Sequence, residues 1–221
     1  MVLALSAFTS SSSFTGHMLE HVLIGMVAPV LFVLGAPITL ALQTFRPPSA
    51  RSLRRLLHSP GARVLTHPLI AWGIFGVTLV VLVFSPVLEW SVHHDAVHAL
   101  VHVHFLLAGY LFVATMLVID PVPRPLPHGA RLFAVLLAIP FHAIVGMALA
   151  TASQPLFPSV YPTLSDQRAA AALLWASGEL FTVVLAGVIA RQWWLADERA
   201  AARFDRTQQV PLEVGIADDA V

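Results

Sequence analysis

Apolar residues run along this chain in five long blocks, at residues 18–41, 68–88, 96–119, 132–152 and 169–190. Each block approaches or exceeds the roughly 20 residues that carry a helix across about 30 Å of hydrocarbon. Lipid offers no partner to a free N–H or C=O, so each block is expected to satisfy its own backbone as a helix. The period-two alternation of a membrane barrel is absent. The pattern predicts an all-α fold: a polytopic transmembrane helix bundle of five spans. It forms one membrane-embedded domain over residues 1–207, followed by a disordered cytoplasmic tail at 208–221.

The polar positions between the blocks orient them. All 12 basic residues are arginine, and they balance 12 acids. Arg46, Arg51, Arg54, Arg55 and Arg63 follow the first block, Arg124 and Arg131 flank the gap after the third, and Arg191, Arg199, Arg203 and Arg206 follow the fifth. With five spans these fall on one side and Arg168 alone on the other. The positive-inside rule then puts the N-terminus outside and the C-terminus in the cytoplasm, as in a multi-pass protein of a bacterial cytoplasmic membrane. Residues 49–58 set Leu53, Leu56 and Leu57 against arginines, the pattern of a short helix lying on the inner leaflet. The proline-rich run from Asp120 to Pro127 reads as a stiff turn. The loop over 151–166, with three prolines, is expected to lie over the mouth of the bundle. The first 14 residues carry no positive charge and no apolar run long enough for a signal peptide. An upstream stretch with further helices is therefore expected.

Composition sharpens this reading in three ways. Hydrophobic residues make up 57% and charged residues 11% of the chain, against about 25% charged in a soluble domain. With a formal net charge of zero there is no basic field for nucleic acid to feel. No cysteine is present, which excludes disulfides, thiolate metal sites and thiol redox chemistry, while histidines number 11.

The histidines sort by side and by helical face. His17 and His21 stand at the outer end of the first span, and His93, His94, His98, His102 and His104 at the outer end of the third. His58, His67 and His128 fall on the inner side, and His142 near the middle of the fourth span. Residues four apart stack on one face, so His17 pairs with His21 and His98 with His102. Gly25 and Ala28 continue the first stripe and Gly109 the second, and small residues let two helices approach closely. Four imidazoles at one depth suit copper or zinc. Met18 adds a soft accessory ligand, Asp95 or Glu20 a carboxylate to orient a ring, and His94 lies on the border of the stripe. Glu179, deep in the fifth span, is expected to be protonated or paired with an imidazole such as His142. Asp166 is expected to cap its own helix and pair with Arg168.

A family resemblance rests on five motifs in order. They are Gly16-His-Met-Leu-Glu-His with Met26-Val-Ala-Pro and Leu34-Gly-Ala-Pro; Thr66-His-Pro; His98-Ala-Leu-Val-His; Leu107-Ala-Gly; and Asp166-Gln-Arg leading to Trp175 and Gly178-Glu. Together they resemble the CtaG family, membrane assembly factors of caa(3)-type cytochrome c oxidase. They do not resemble the unrelated cysteine-bearing copper chaperones that share that name. Two departures stand out. Family members carry further N-terminal helices, and Arg168 and Ala171-Ala172 stand where the family commonly has Gln and Ala-Gly. The resemblance implies a non-enzymatic role in oxidase maturation, with oxidase subunits as partners. It further implies copper supply, with a copper donor protein on the outer face and His142 and Glu179 lining a path inward.

Three other readings stay open at this point. One is a b-type haem oxidoreductase with one His from each pair as axial ligands. Another is a small transporter using Glu179 and His142 as a relay. The last is a metal-free assembly scaffold.

Overall fold

The computed structural model of the protein describes residues 13–123 and 125–218, and the side chains of 13–206 apart from Arg124. The described residues form an all-helical bundle without strands, as the apolar blocks predict. Four helical stretches are long and apolar enough to cross a membrane: Phe14–Thr44, Asp95–Leu117, His128–Thr151 and Leu164–Arg206. A fifth is reached when the bent pair Pro68–Phe84 and Val87–His93 counts as one span. This fits a multi-pass membrane protein.

The first span is broken twice, each time at a proline. It consists of α1 (Phe14–Val22), a wide turn at Leu23–Val27, α2 (Ala28–Leu34) and α3 (Pro37–Thr44). Pro29 has no N–H to return to the carbonyl of Gly25, and the wide turn before it absorbs the misfit. The freed Gly25 carbonyl points at Gly109 of α8 (Asp95–Leu117), where a Cβ would overlap that oxygen and meet Pro29 Cγ at 2.8 Å. The two backbones touch because neither residue has a side chain. Gly35 then ends α2, and Ala36, in the left-handed region at φ 46°, turns the chain into α3.

Distant aspartates close two of the helix starts in this span. Asp166 receives the N–H groups of Phe14 (2.6 Å) and Thr15 (3.2 Å) and the Thr15 hydroxyl (2.6 Å) at the start of α1. Asp120, from the proline-rich turn, receives the N–H groups of Ile38 (3.2 Å) and Thr39 (2.8 Å) and the Thr39 hydroxyl (2.7 Å) at the start of α3. A carboxylate at a helix N-terminus satisfies orphan donors and meets the positive end of the helix dipole.

The second apolar block departs from the straight 68–88 span predicted from sequence. Here α6 (Pro68–Phe84) stops and α7 (Val87–His93) leaves at 73°. Pro86 forces the residue before it out of helical geometry, and Ser85 is extended. The amphipathic segment becomes α4 (Pro47–Leu57), followed by α5 (Pro60–Leu65), with Leu56, Val64 and Leu65 exposed. The fourth span comprises α9 (His128–Leu136) and α10 (Ile139–Thr151), and the fifth is α11 (Leu164–Asp218). That helix continues past residue 208, where sequence predicts disorder; residues 219–221 lie outside the described residues.

Packing places α11 beside α1, α9 and α10, while α8 packs against α2, α6 and the wide turn. One apolar cluster, including Phe14, Met18, Leu82, Leu88 and Leu149, lies at the α1 end. A second, including Met26, Phe112, Met116 and Leu185, lies toward the other end. Arg131, counted by sequence as an inner-side charge, is buried. Its guanidinium donates to the carbonyls of Met116 (2.9 Å) and Leu117 (3.4 Å) and to Gln192 Oε1 (3.0 Å), closing the C-terminus of α8.

Because Gly109 lies on backbone, Gly109→Ala is expected to destabilise the folded bundle by about 3 kcal/mol, in the upper range for overpacking. Gly73→Ala, where a Cβ meets nothing within 4 Å, is expected to be neutral or stabilising by up to about 1 kcal/mol through helix propensity. Thermal unfolding of the two variants in the same detergent checks both.

Candidate metal centre

The close approach of Gly25 and Gly109 brings the helix turns beside it together, and those turns carry the imidazoles. His17, Glu20 and His21 come from α1 and are buried. His98 and His102 come from α8 and are partly buried. The two four-residue pairs interleave. His17 stacks on His98 with ring centroids 5.3 Å apart and planes 17° from parallel. His21 lies edge-on to His102 at 5.2 Å, and His98 lies 4.1 Å from His102. Thus all four histidines that spacing selects meet in one cluster.

Their ligand atoms converge. One nitrogen each of His17, His21 and His98 lies within 4.8 Å of the others, and the same holds for the ligand atoms of Glu20, His98 and His102. His98 belongs to both groups, so they form one five-residue donor set. His17 Nε2 and His21 Nε2 approach to 2.8 Å, somewhat inside the about 3.3 Å between two nitrogens on one tetrahedral zinc-like ion. Glu20 Oε1 stands 3.5 Å from His102 Nε2. Four buried atoms of this cluster have no hydrogen-bond partner: Glu20 Oε1, His21 Nδ1, His98 Nε2 and His102 Nε2. Orphaned buried polar atoms are rare in native proteins. Four in one cluster, all of metal-ligating type, are matched by the chemistry of a cation site.

The accessory residues divide. Of the two carboxylates that sequence offers, Glu20 reaches the imidazoles. Asp95 is the first residue of α8 and is exposed at its end. His94 is also exposed, with Nδ1 3.1 Å from the Trp90 carbonyl. Met18 is buried among the apolar residues around Phe14, and it borders a cavity with His21. His142 is buried against Gly178, with Nδ1 3.3 Å from the Ala138 carbonyl. Glu179 receives a hydrogen bond from Trp175 Nε1 at 3.2 Å, one turn away, and makes no ion pair with His142 among the described residues. His93 and His104 lie outside the cluster, on the Glu89 carbonyl (2.7 Å) and the Thr78 hydroxyl (2.8 Å).

Three residues at the mouth are ones that spacing misses or misplaces. Asp166 caps α1, not its own helix, and pairs with no arginine among the described residues. This fastens the His17 helix to α11. Gln167 is buried and ties the loop over 152–163 down, accepting from the Leu156 N–H (2.7 Å) and donating to the Leu149 carbonyl (2.9 Å). Tyr161 of that loop stacks on Phe14 at 5.0 Å and lies 5.9 Å from the His17 ring. Burial, reinforced by the Asp166 and Glu20 carboxylates, pushes its phenol up to about 12, so it stays neutral. The loop lies over the mouth as expected, and an aromatic in a proline-rich loop is the local signal for Tyr161.

Residues 2–196 match the family described as cytochrome c oxidase caa3 assembly factor. An uncharacterized protein of Mycobacterium bovis is 37% identical over 212 residues, covering 89% of this chain and 32% of its own length. An uncharacterized protein of Mycobacterium leprae is 33% identical over 223 residues, covering 90% of this chain and 34% of its own. The chain thus spans about a third of the length of these relatives. No solved structure matches it significantly.

Asp166→Ala is expected to cost about 2 kcal/mol, the upper range for losing a helix cap, with Asp166→Asn intermediate; unfolding midpoints in detergent measure this. Tyr161 keeps its proton more tightly folded than unfolded, so its share of stability falls as pH rises from about 10 to about 12. Tyr161→Phe is expected to flatten the stability profile over that window.

Proposed function

The chain belongs to the family of cytochrome c oxidase caa3 assembly factors, and on that premise we propose that it receives copper at the imidazole cluster and supplies it to a maturing oxidase. The observation that carries this reading is the set of four buried ligand atoms, shared between α1 and α8, that make no hydrogen bond. Copper is cargo here, taken up and released. Neutral imidazole suits copper in either oxidation state, and a single carboxylate, Glu20, lowers the net charge of the loaded site. A donor set without cysteine avoids the thiol oxidation that an outward-facing site would suffer.

The arginine distribution supports a cluster facing outward. α4 and α5 carry Arg51, Arg54, Arg55 and Arg63, and the far end of α11 carries Arg191, Arg199, Arg203 and Arg206. By the positive-inside rule that face is cytoplasmic. The His17 end of α1 and the His98 end of α8 then open to the outer side of a bacterial cytoplasmic membrane. A donor protein delivers copper there, past the loop that carries Tyr161, and the oxidase subunit takes it within the bilayer.

The packing of the rings favours a bare ion over the haem alternative. Centroid separations of 4.1 to 5.3 Å leave stacked imidazoles in van der Waals contact. A porphyrin needs an open slot between its two axial ligands.

Purified protein loaded with copper and desalted is expected to retain it. Replacing His17, His21, His98 and His102 by Ala is expected to lower affinity at least a hundredfold, by analogy with the 10–100-fold that even outer-shell changes cost. The same variant is expected to fail to restore oxidase activity in a strain lacking the protein. Full restoration by that variant contradicts the copper reading and favours the metal-free scaffold.

A further inference from the structure

The imidazole cluster contains two convergences. One nitrogen each of His17, His21 and His98 lies within 4.8 Å of the others, and so do the ligand atoms of Glu20, His98 and His102, but the five donors do not all meet that limit together. Ligand atoms on one ion, each about 2.1 Å from it, stand at most about 4.2 Å apart. A single ion therefore cannot take all five as they stand. His98 is common to both triads, and a neutral imidazole has one free lone pair, so it serves one ion at a time.

The triads differ in chemistry and in burial. His17 and His21 are buried, and their Nε2 atoms stand 2.8 Å apart, so that one ring can donate to the other. His17 also lies beside Tyr161 of the covering loop. In the second triad Glu20 Oε1, His98 Nε2 and His102 Nε2 are all buried atoms that make no hydrogen bond. Such atoms are rare in native proteins, and here they belong to the three residues whose ligand atoms converge. The rim of this triad is the more open one. His98 and His102 are only partly buried, and Leu19 and Val103, the sequence neighbours of Glu20 and His102, are exposed apolar side chains. In a membrane-spanning bundle such side chains face lipid or another helix.

We propose that the cluster holds its ion at two successive positions that share His98: an all-imidazole receiving position, His17–His21–His98, and a release position, Glu20–His98–His102, on the membrane-facing side. The inference rests on the reading that the cluster carries copper, here as Cu(I). In the step between the positions the bonds to His17 and His21 break, bonds to Glu20 and His102 form, and the bond to His98 is kept; no electron is transferred. Cu(I) is soft and carboxylate oxygen is hard. The ion therefore rests on the imidazoles and visits the Glu20 position, from which a ligand of the partner takes it within the bilayer. A divalent ion such as Zn(II) accepts carboxylate oxygen readily and settles at the Glu20 position instead.

The test uses the full chain in detergent, loaded with Cu(I) or with Zn(II), with X-ray absorption at the metal edge to read the ligands and chelator competition to read affinity. One ion per chain is expected with either metal, Cu(I) on nitrogen alone and Zn(II) on nitrogen and oxygen. Glu20→Gln is expected to leave Cu(I) affinity within about threefold and to lower Zn(II) affinity at least about tenfold. The variant H17Q/H21Q is expected to do the reverse, and His98→Gln to weaken both. The metal that each variant keeps reports that it is folded. Glu20→Gln, still carrying Cu(I), is expected to restore less than about a tenth of the oxidase activity in a strain lacking the protein. Equal loss of Cu(I) from E20Q and H17Q/H21Q, or unchanged Zn(II) affinity in E20Q, overturns the two positions while leaving the copper reading standing. Full oxidase activity with E20Q overturns the release step. A wild-type chain that binds neither ion overturns the copper reading itself.

Discussion

The contact between the Gly25 carbonyl and Gly109 is the constraint on which the rest of this molecule depends. It requires three coincident features: a proline four residues on that cannot use the carbonyl, a wide turn that exposes it, and a facing residue without a side chain. Together they set the wide turn and α8 closer than ordinary side chains permit. His21 and His17 stand one and two turns before Gly25, and His102 and His98 two and three turns before Gly109, so the contact brings the two pairs into register and they interleave. Gly25 and Met26 of the same turn also line the cavity that Met18 and His21 border.

A span broken by two prolines needs outside support at its exposed helix starts, and two aspartates far away in the chain provide it. Asp166 holds α1 to α11, and Asp120 holds α3 to the proline-rich turn. The first of these does double duty, because it fixes the helix that carries half the imidazoles and sits beside Tyr161 of the covering loop. The site is thus fastened at its base by backbone contact and at its mouth by a carboxylate.

How much of this is legible in the sequence depends on which information is local. Helical periodicity fixes faces, so the two His-x-x-x-His pairs and the glycines below them can be read from spacing alone. The existence of the spans is legible for the same reason. Depth along a helix is not: Asp95 and Glu20 are equivalent as carboxylates in the sequence, yet Asp95 stands at the exposed start of α8. The partner of a cap 151 residues away is invisible to spacing, so spacing assigns Asp166 to its own helix. The bend at Ser85-Pro86 has a local signal that hydropathy hides, because hydropathy averages across a proline whose backbone cost does not average away. Chemistry alone pairs His142 with Glu179, while geometry gives the carboxylate to Trp175.

X-ray absorption on the full chain carrying one equivalent of Cu(I) tests the central claim most directly. A coordination sphere of three or more imidazole nitrogens at about 2.0 Å, lost when His17, His21, His98 and His102 are replaced, is the result this account predicts. A sphere without imidazole nitrogen, or an unchanged one in that variant, would contradict it.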